Sequence, residues 1–336
     1  MSHANLEPIR QERQEQEFSR SDRISEPTPL LIAGATGYIG GRLVPGLKRQ
    51  HARIRCLARK PERVEGKFGT NVEAVQGDVL DRGSLEGALE GVHTAYYLVH
   101  LMAADGGFEE RDRQAARNFA EAANAVGVCR IIYLGGLGDD SDPALSPHLK
   151  SRHEVGRILR ESGVETIEFR ASAILGAGSL SYDMVRTLTD RLPVMVCPRW
   201  LATPTQPIAV DDVVSYLIKA LDLPPGPSRL LEIGGEDVVK YRDLIEEYAH
   251  QNGLRRLLLP VPLLSPWLSS LWLALVTPNK FQVGRHLVEG LKNPTVVRDD
   301  SARTLFPSIR PVGMAEAIRR AVEEDPPRTK TTLTRV

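Results

Sequence analysis

The stretch Leu30-Leu31-Ile32-Ala33-Gly34-Ala35-Thr36-Gly37-Tyr38-Ile39-Gly40 constrains this chain more than any other. An apolar run of strand length passes into three glycines spaced three apart, and sequence of helical character follows. That is the layout of a nucleotide-binding turn after the first strand of a parallel sheet. Gly34 permits the tight turn, and Gly37 lets backbone N–H groups approach a pyrophosphate with no Cβ in the way. Gly40 lets the next helix pack close to the strand, with the helix N-terminus facing the phosphates. The G-x-x-G-x-x-G spacing is one residue longer at the front than the commonest dinucleotide fingerprint. A glycine-rich turn that binds nothing is the bland counterpart, and the strand and helix on either side favour cofactor binding.

A chain of 336 residues suggests about two domains, or one domain with a large insertion. Its 42% apolar residues suffice for a sizeable core. The 43 basic and 43 acidic residues balance, so no global field favours nucleic acid or an anionic membrane. Cys56, Cys129 and Cys197 are odd in number and far apart, which argues against a disulfide framework and against a zinc site; no metal is expected. A reducing cytoplasm is the simplest compartment. Residues 1–27 are rich in Glu, Arg and Gln and lack an apolar signal core, so they read as a disordered or solvated arm.

Apolar strand-like runs alternate with helix-like stretches from Leu30 to Arg170. Expected strands cover Ala52–Ala58, Val72–Gln76, Thr94–Val99, Arg130–Leu134 and Thr166–Arg170; expected helices include Arg42–Gln50, Phe108–Ala125 and His153–Ser162. Pro45-Gly46 predicts a bend or a late start in the first of these helices. The alternation predicts an α/β fold, a doubly wound parallel sheet of Rossmann type, with a smaller C-terminal substrate-cleft region. The dinucleotide-binding unit is expected over 28–177, completed by 206–235. The cleft-forming region is expected over 178–205 and 236–325, and 326–336 is a tail. Within the later half, Leu180–Leu192 and Tyr241–Asn252 read as helices, the second capped by Gly253. Pro207–Val214 reads as a strand entering a helix, with Asp211 and Asp212 as caps. Leu257–Val276 is the most apolar window, but Pro260, Pro262 and Pro266 leave only Trp267–Thr277 as a continuous helix, too short for a membrane span. A buried helix lining the cleft is preferred there over membrane-surface contact through 257–277.

In a dinucleotide fold the end of the second strand meets the adenosine ribose. An acid there suits NAD, and an arginine suits the 2′-phosphate of NADP. Here that strand ends Leu57-Ala58-Arg59-Lys60, with no acid before Glu62. Arg59 offers a planar fork that matches a phosphate. NADP(H) is therefore the preferred cofactor and NAD(H) the second choice.

The order of elements, the Gly34/Gly37/Gly40 turn and Pro207-Ile-Ala-Val-Asp-Asp-Val213 together resemble the short-chain dehydrogenase/reductase superfamily. The resemblance is to its extended and atypical branch, which holds NmrA-like proteins and relatives of a mitochondrial complex I accessory subunit. Tyr97-Leu-Val-His100, Pro198-Arg-Trp200, Glu232-Ile-Gly-Gly235 and Pro260-Val-Pro262 are similar to one bacterial subgroup. The likeness covers about residues 28–320. It implies Asp78 and Val79 beside the adenine, Leu98 and Val99 flanking the adenosine, and Ala173 near the nicotinamide. His100 departs from the small residues common at its place. The full cofactor set expected is Gly34, Thr36, Gly37, Tyr38, Ile39, Gly40, Arg59, Lys60, Asp78, Val79, Leu98, Val99, Arg152 and Ala173.

The superfamily's usual chemistry uses a serine after the fifth strand and a Tyr-x-x-x-Lys on the next helix. The resemblance places Gly136, His148 and Arg152 at those three positions, and no Tyr-x-x-x-Lys occurs in the chain. Arg152 can hydrogen-bond a ribose but cannot release a proton near neutrality. His148 titrates there and can serve as an acid; Tyr182 is a weaker substitute. Ser172 offers a hydroxyl for a carboxamide. The leading reading is an oxidoreductase passing hydride to a small carbonyl or quinone-like acceptor, its identity and the oligomeric state left open. The alternatives are a non-catalytic NADP(H)-sensing regulator and a structural or assembly subunit of a respiratory-type complex.

Overall fold

The computed structural model of the protein describes residues 28–50, 53–101, 107–260 and 290–325. The arm over 1–27, the tail over 326–336 and the helix expected over Trp267–Thr277 lie outside the described residues.

Seven strands form one sheet: β1 (Leu30–Ala33), β2 (Ile54–Ala58), β3 (Glu73–Gln76), β4 (Thr94–Tyr97), β5 (Arg130–Gly136), β6 (Glu165–Ala171) and β7 (Arg229–Ile233). Their order is β7-β6-β5-β4-β1-β2-β3, and every neighbouring pair is parallel. The doubly wound sheet expected from the alternation is what forms. The order reverses between β1 and β4, and a doubly wound sheet receives its ligand outside the strand ends at such a point.

Both faces of the sheet are covered, which is why its strands read as continuous apolar runs. Along β1, Leu30 and Ile32 enter one apolar cluster, and Leu31 and Ala33 enter the other. Helices α1 (Tyr38–Lys48) and α2 (Glu62–Phe68) cover the first face, and α3 (Gly83–Leu89), α4 (Phe108–Ala125) and α5 (Pro147–Arg160) cover the second.

Two helix boundaries differ from expectation. Helix α1 starts at Tyr38 and continues through Pro45. A mid-helix proline costs about 3 kcal/mol, while fully burying one aliphatic side chain returns about 1.5–3 kcal/mol. Leu43, Val44 and Leu47 are all 0% exposed, so packing keeps the helix whole. Helix α5 begins at Pro147 rather than His153. Ser146 caps it, its Oγ accepting from the Leu149 amide at 3.3 Å, and proline takes the first position, where its missing N–H costs nothing. His148 therefore sits in the first helical turn, not in a loop.

Beyond β6 the chain builds a third apolar cluster around α6 (Leu180–Arg191) and the later helix Tyr241–Gln251. Tyr182, Leu188, Leu244 and Tyr248 fill it. Gly253 follows the later helix with φ +64°, the left-handed cap expected of it. Helix α7 (Val210–Lys219) follows Ala209, so Asp211 and Asp212 are first-turn residues rather than caps. Their charge still complements the helix dipole, and Asp212 Oδ2 accepts from the Val312 amide at 2.9 Å. Among the described residues no helix is long and apolar enough to cross a membrane, and no cluster of three or more His, Cys, Asp or Glu could hold a metal ion.

Two measurements check this packing. A Cβ built on Gly40 lies 2.3 Å from the Gly34 carbonyl oxygen and 2.7 Å from the Ala35 Cα, both fixed backbone atoms. Gly40→Ala is expected to lower the unfolding free energy by about 1–3 kcal/mol in denaturant titrations, and an unchanged midpoint would contradict the close approach. The three cysteines are free; Cys129 is exposed, and burial pushes the Cys56 thiol up to about 12. A thiol reagent at pH 8 should label Cys129 in the native protein and Cys56 only after unfolding. Equally fast labelling of both would refute the burial of Cys56.

Candidate cofactor cleft and adjoining polar site

A cleft of about 540 Å³ opens at the carboxyl ends of β1 to β4. Its floor is the turn after β1. Gly34 adopts φ +94°, a conformation that L side chains rarely take, and its Cβ would lie 2.7 Å from the Leu98 carbonyl oxygen. The Gly37 amide donates to Gly34 O at 3.0 Å, and Gly37 precedes α1 without any side chain to cap its amides. The amides of the first helical turn have no partner within the helix, and no acidic residue stands in that turn to repel an anion. Lys67 Nζ donates to Thr36 O at 3.0 Å and Gly37 O at 3.4 Å, tying α2 to the turn.

The other end of the cleft is cationic. Arg59, Lys60 and Arg63 are exposed and line it, and Asp78 is the only acid among its lining residues. Asp78 Oδ1 accepts from the Leu80 amide at 3.0 Å, fixing the turn after β3. A bare glycine turn, an uncapped helix start and three cations at the far end fit a nicotinamide dinucleotide with a phosphate on its adenosine side.

Of the residues expected from sequence, Gly34, Thr36, Gly37, Arg59, Lys60, Asp78, Val79, Leu98 and Val99 line this cleft. Tyr38, Ile39, Gly40, Arg152, Ala173 and His148 are not among its lining residues. The Tyr38 ring lies against the Arg42 guanidinium at 5.2 Å, and burial raises its hydroxyl to about 12. Ile39 packs into the first apolar cluster, and Ala173 packs against the third. Leu57, Ala58, Arg63, Gly77, His100 and Leu101 complete the lining. Arg63 stands four residues beyond Arg59, across the start of α2, so that pair was readable once the helix start was placed.

Arg152 occupies a different setting. It is 7% exposed, and its guanidinium donates to Val99 O at 3.3 Å and to Leu134 O, across the ends of β4 and β5. It also lies over the Tyr133 ring at 4.9 Å, and the Tyr133 hydroxyl donates to Arg152 O at 2.9 Å. Gly136 has no room for a serine without a shift of Leu149, whose Cδ2 would lie 2.7 Å from its Cβ. Ser172 joins Thr205 and Thr295 hydroxyls at 2.7 and 2.8 Å. Tyr182 is fully buried in the third cluster, away from the cleft, and burial raises its hydroxyl further still; that placement argues against a role as a proton donor.

A group not foreseen from sequence adjoins the cleft. Asp112, 1% exposed on the apolar side of α4, accepts from His100 Nδ1 at 3.1 Å, the Leu101 amide at 2.9 Å and Ser151 Oγ at 3.2 Å. Burial alone would raise its carboxyl, but the bond and charge of His100, the Leu101 amide and the nearby Arg152 charge bring it below the ordinary carboxylate range. The His100 and His148 rings are neighbours, their centroids 5.0 Å apart and inclined at 56°. One sequence signal pointed here: a lone acid on the helical stripe that also carries Ala115, Ala116 and Phe119.

Residues 34–222, more than half of the chain, match a family model described as NAD(P)H-binding. The chain is 29% identical over 221 residues to a (4-alkanoyl-5-oxo-2,5-dihydrofuran-3-yl)methyl phosphate reductase of Streptomyces griseus, covering 64% of this chain and 70% of that one. It is 27% identical over 267 residues to a ceramide reductase of Caulobacter vibrioides, covering 76% and 82%. Among solved structures, the triphenylmethane reductase of a Citrobacter species in complex with NADP(H) overlays with a TM-score of 0.70 at 17% identity, covering 87% of this chain and 99% of that one. The glycine turn, the switch-point cleft and the family match agree, and the chain belongs to the NAD(P)H-binding family.

Proposed function

We propose that the protein is an NADPH-dependent reductase that passes hydride to a small carbonyl or quinone-like acceptor. The observation that carries this reading is the cation group Arg59, Lys60 and Arg63 at the β2 end of the cleft, where an NAD-selective site would place a carboxylate. The reductase names of the relatives support it. In this reading Gly34, Gly37 and the amides of the α1 start hold the pyrophosphate, and Asp78, Val79, Leu98 and Val99 hold the adenosine half. The cofactor, when bound, supplies a hydride. Arg152 fixes a positive charge at the ends of β4 and β5, and His148 gives a proton to the acceptor oxygen.

Side-by-side titration of NADPH, NADP⁺ and NADH tests this. NADPH is expected to bind more tightly than NADH, and Arg59→Ala to weaken NADPH by roughly 10- to 100-fold, the worth of a charge-assisted contact, with little effect on NADH. Equal affinities for NADPH and NADH would overturn the cofactor preference, and binding of no dinucleotide would overturn the reductase. Tight binding without turnover on a panel of carbonyls and quinones would leave the sensing reading in its place.

A further inference from the structure

Outside the main sheet, strands Val194–Cys197 and Leu257–Pro260 pair in parallel, with Val194 opposite Leu257, Met195 opposite Leu258 and Val196 opposite Leu259. Side chains alternate between the two faces of such a pair. Met195, Cys197 and Leu258 pack into the third apolar cluster. The outer face is left with Val194, Val196, Leu257 and Leu259, with no polar residue among them. Parallel strands are ordinarily covered on both faces, yet Val194 is 50% exposed, Leu257 55% and Leu259 43%. Among the described residues the other large apolar side chain so exposed is Val238, which lies outside this pair. A single exposed valine is ordinary, whereas neighbouring aliphatic residues on one face mark a docking surface.

The charge around the patch selects the partner. Residues 189–199 and 253–260 carry Arg191, Arg199, Arg255 and Arg256 against one acid, Asp190, in a chain whose charges otherwise balance. Arg256 reaches back to the Thr189 and Asp190 carbonyls. Arg191, Arg199 and Arg255 are exposed. The Leu257 amide donates to Pro193 O at 3.0 Å, so Arg191 and Arg255 both stand at the amino end of the pair, and Arg199 follows its carboxyl end. We propose that this outer face is a peripheral docking surface for an anionic lipid bilayer. The aliphatic side chains enter the edge of the acyl region, and the flanking guanidinium groups meet the headgroup phosphates. The sequence beyond Pro260 agrees: it has no charged residue before Lys280, and it carries Trp267 and Trp272, a residue type favoured at membrane–water boundaries. The apolar window from which a buried helix was expected thus opens with exposed leucines on a strand. This inference goes beyond the reductase reading and does not depend on it.

The test is co-sedimentation of the full chain with phosphatidylcholine vesicles, pure and containing phosphatidylglycerol, with no dinucleotide present. The wild type should pellet with the phosphatidylglycerol vesicles, and added salt should reduce the bound fraction. Leu257→Asp combined with Leu259→Asp should weaken binding by about 10-fold or more. Arg255→Glu should weaken it by roughly 10- to 30-fold, and Val238→Asp should leave it unchanged. Val194→Asp decides the case if the leucine variant does not fold. A wild type that pellets with neither vesicle would overturn the proposal. So would binding that the leucine variant retains in full, since another part of the chain would then hold the lipid. Equal pelleting with pure phosphatidylcholine would overturn the part given to the arginines. A dimer in sedimentation velocity that ignores vesicles and that the leucine variant dissolves would assign the face to a second copy instead.

Discussion

The contact on which the site depends is one between backbones. The start of α1 is pressed onto the turn after β1, so that the place of a Gly40 Cβ is already taken by the Gly34 carbonyl. Gly34 is itself pressed against the Leu98 carbonyl at the end of β4. Two absent side chains thus bring the β1 turn, the β4 end and the first amides of α1 to one spot. The helix start faces the cleft for that reason, and its uncompensated amides become a place for an anion. Lys67 holds the outer side of the same turn through the Thr36 and Gly37 carbonyls.

A second set of contacts fixes α5. Under α5 lies a buried ionic group in which Glu168, fully buried, is bridged by Arg160 and Arg170. Arg170 continues to Asp140 at 2.8 Å, and Asp140 pairs with His153, whose Nε2 bonds Gly136 O at 2.9 Å. Two arginines face two carboxylates, so the group is close to neutral, as burial demands. It needs α5 close to the sheet, since a Cβ on Gly156 would lie 2.2 Å from a Glu168 oxygen. Burial and the Arg170 charge lower the pKa of His153, and the Asp140 carboxylate alongside pulls it the other way. These contacts tie α5 to the sheet, and α5 is the helix that carries His148 and Arg152.

How much of this could be read from the sequence follows from the range of each interaction. The sheet was legible because its strands are buried on both faces and their apolar runs are unbroken. The glycine turn was legible because a local backbone requirement fixes the residue type, and the place of Arg59 in the cleft lining followed from the end of β2. Helix starts were less so: the expected helix begins at His153, whereas the Ser146 cap starts α5 at Pro147 and brings His148 into its first turn. The Asp112–His100–Ser151 group was not legible, since its members come from a loop and two helices and meet only through packing. Arg152 was assigned by analogy to a ribose, whereas two strand-end carbonyls take its guanidinium.

The tyrosines at the ends of β4 and β5 are poorly placed for proton transfer. A phenol gives up its proton usefully near neutrality only when its pKa is brought down. Burial pushes Tyr133 up to about 12, its hydroxyl is engaged with Arg152 O, and Tyr97 beside it is raised further. Both belong to the core. A serine at Gly136 would have to displace the Leu149 side chain, whose Cδ2 stands 2.7 Å from the place of its Cβ. His100 is the single histidine among the residues lining the cleft, and it leans on His148. An imidazole needs no neighbouring cation to lower its pKa into the working range, as a phenol does. Arg152 binds backbone carbonyls at the ends of β4 and β5. A lysine in its place has only a point charge to offer, whereas the guanidinium fork reaches both the Val99 and Leu134 carbonyls at once.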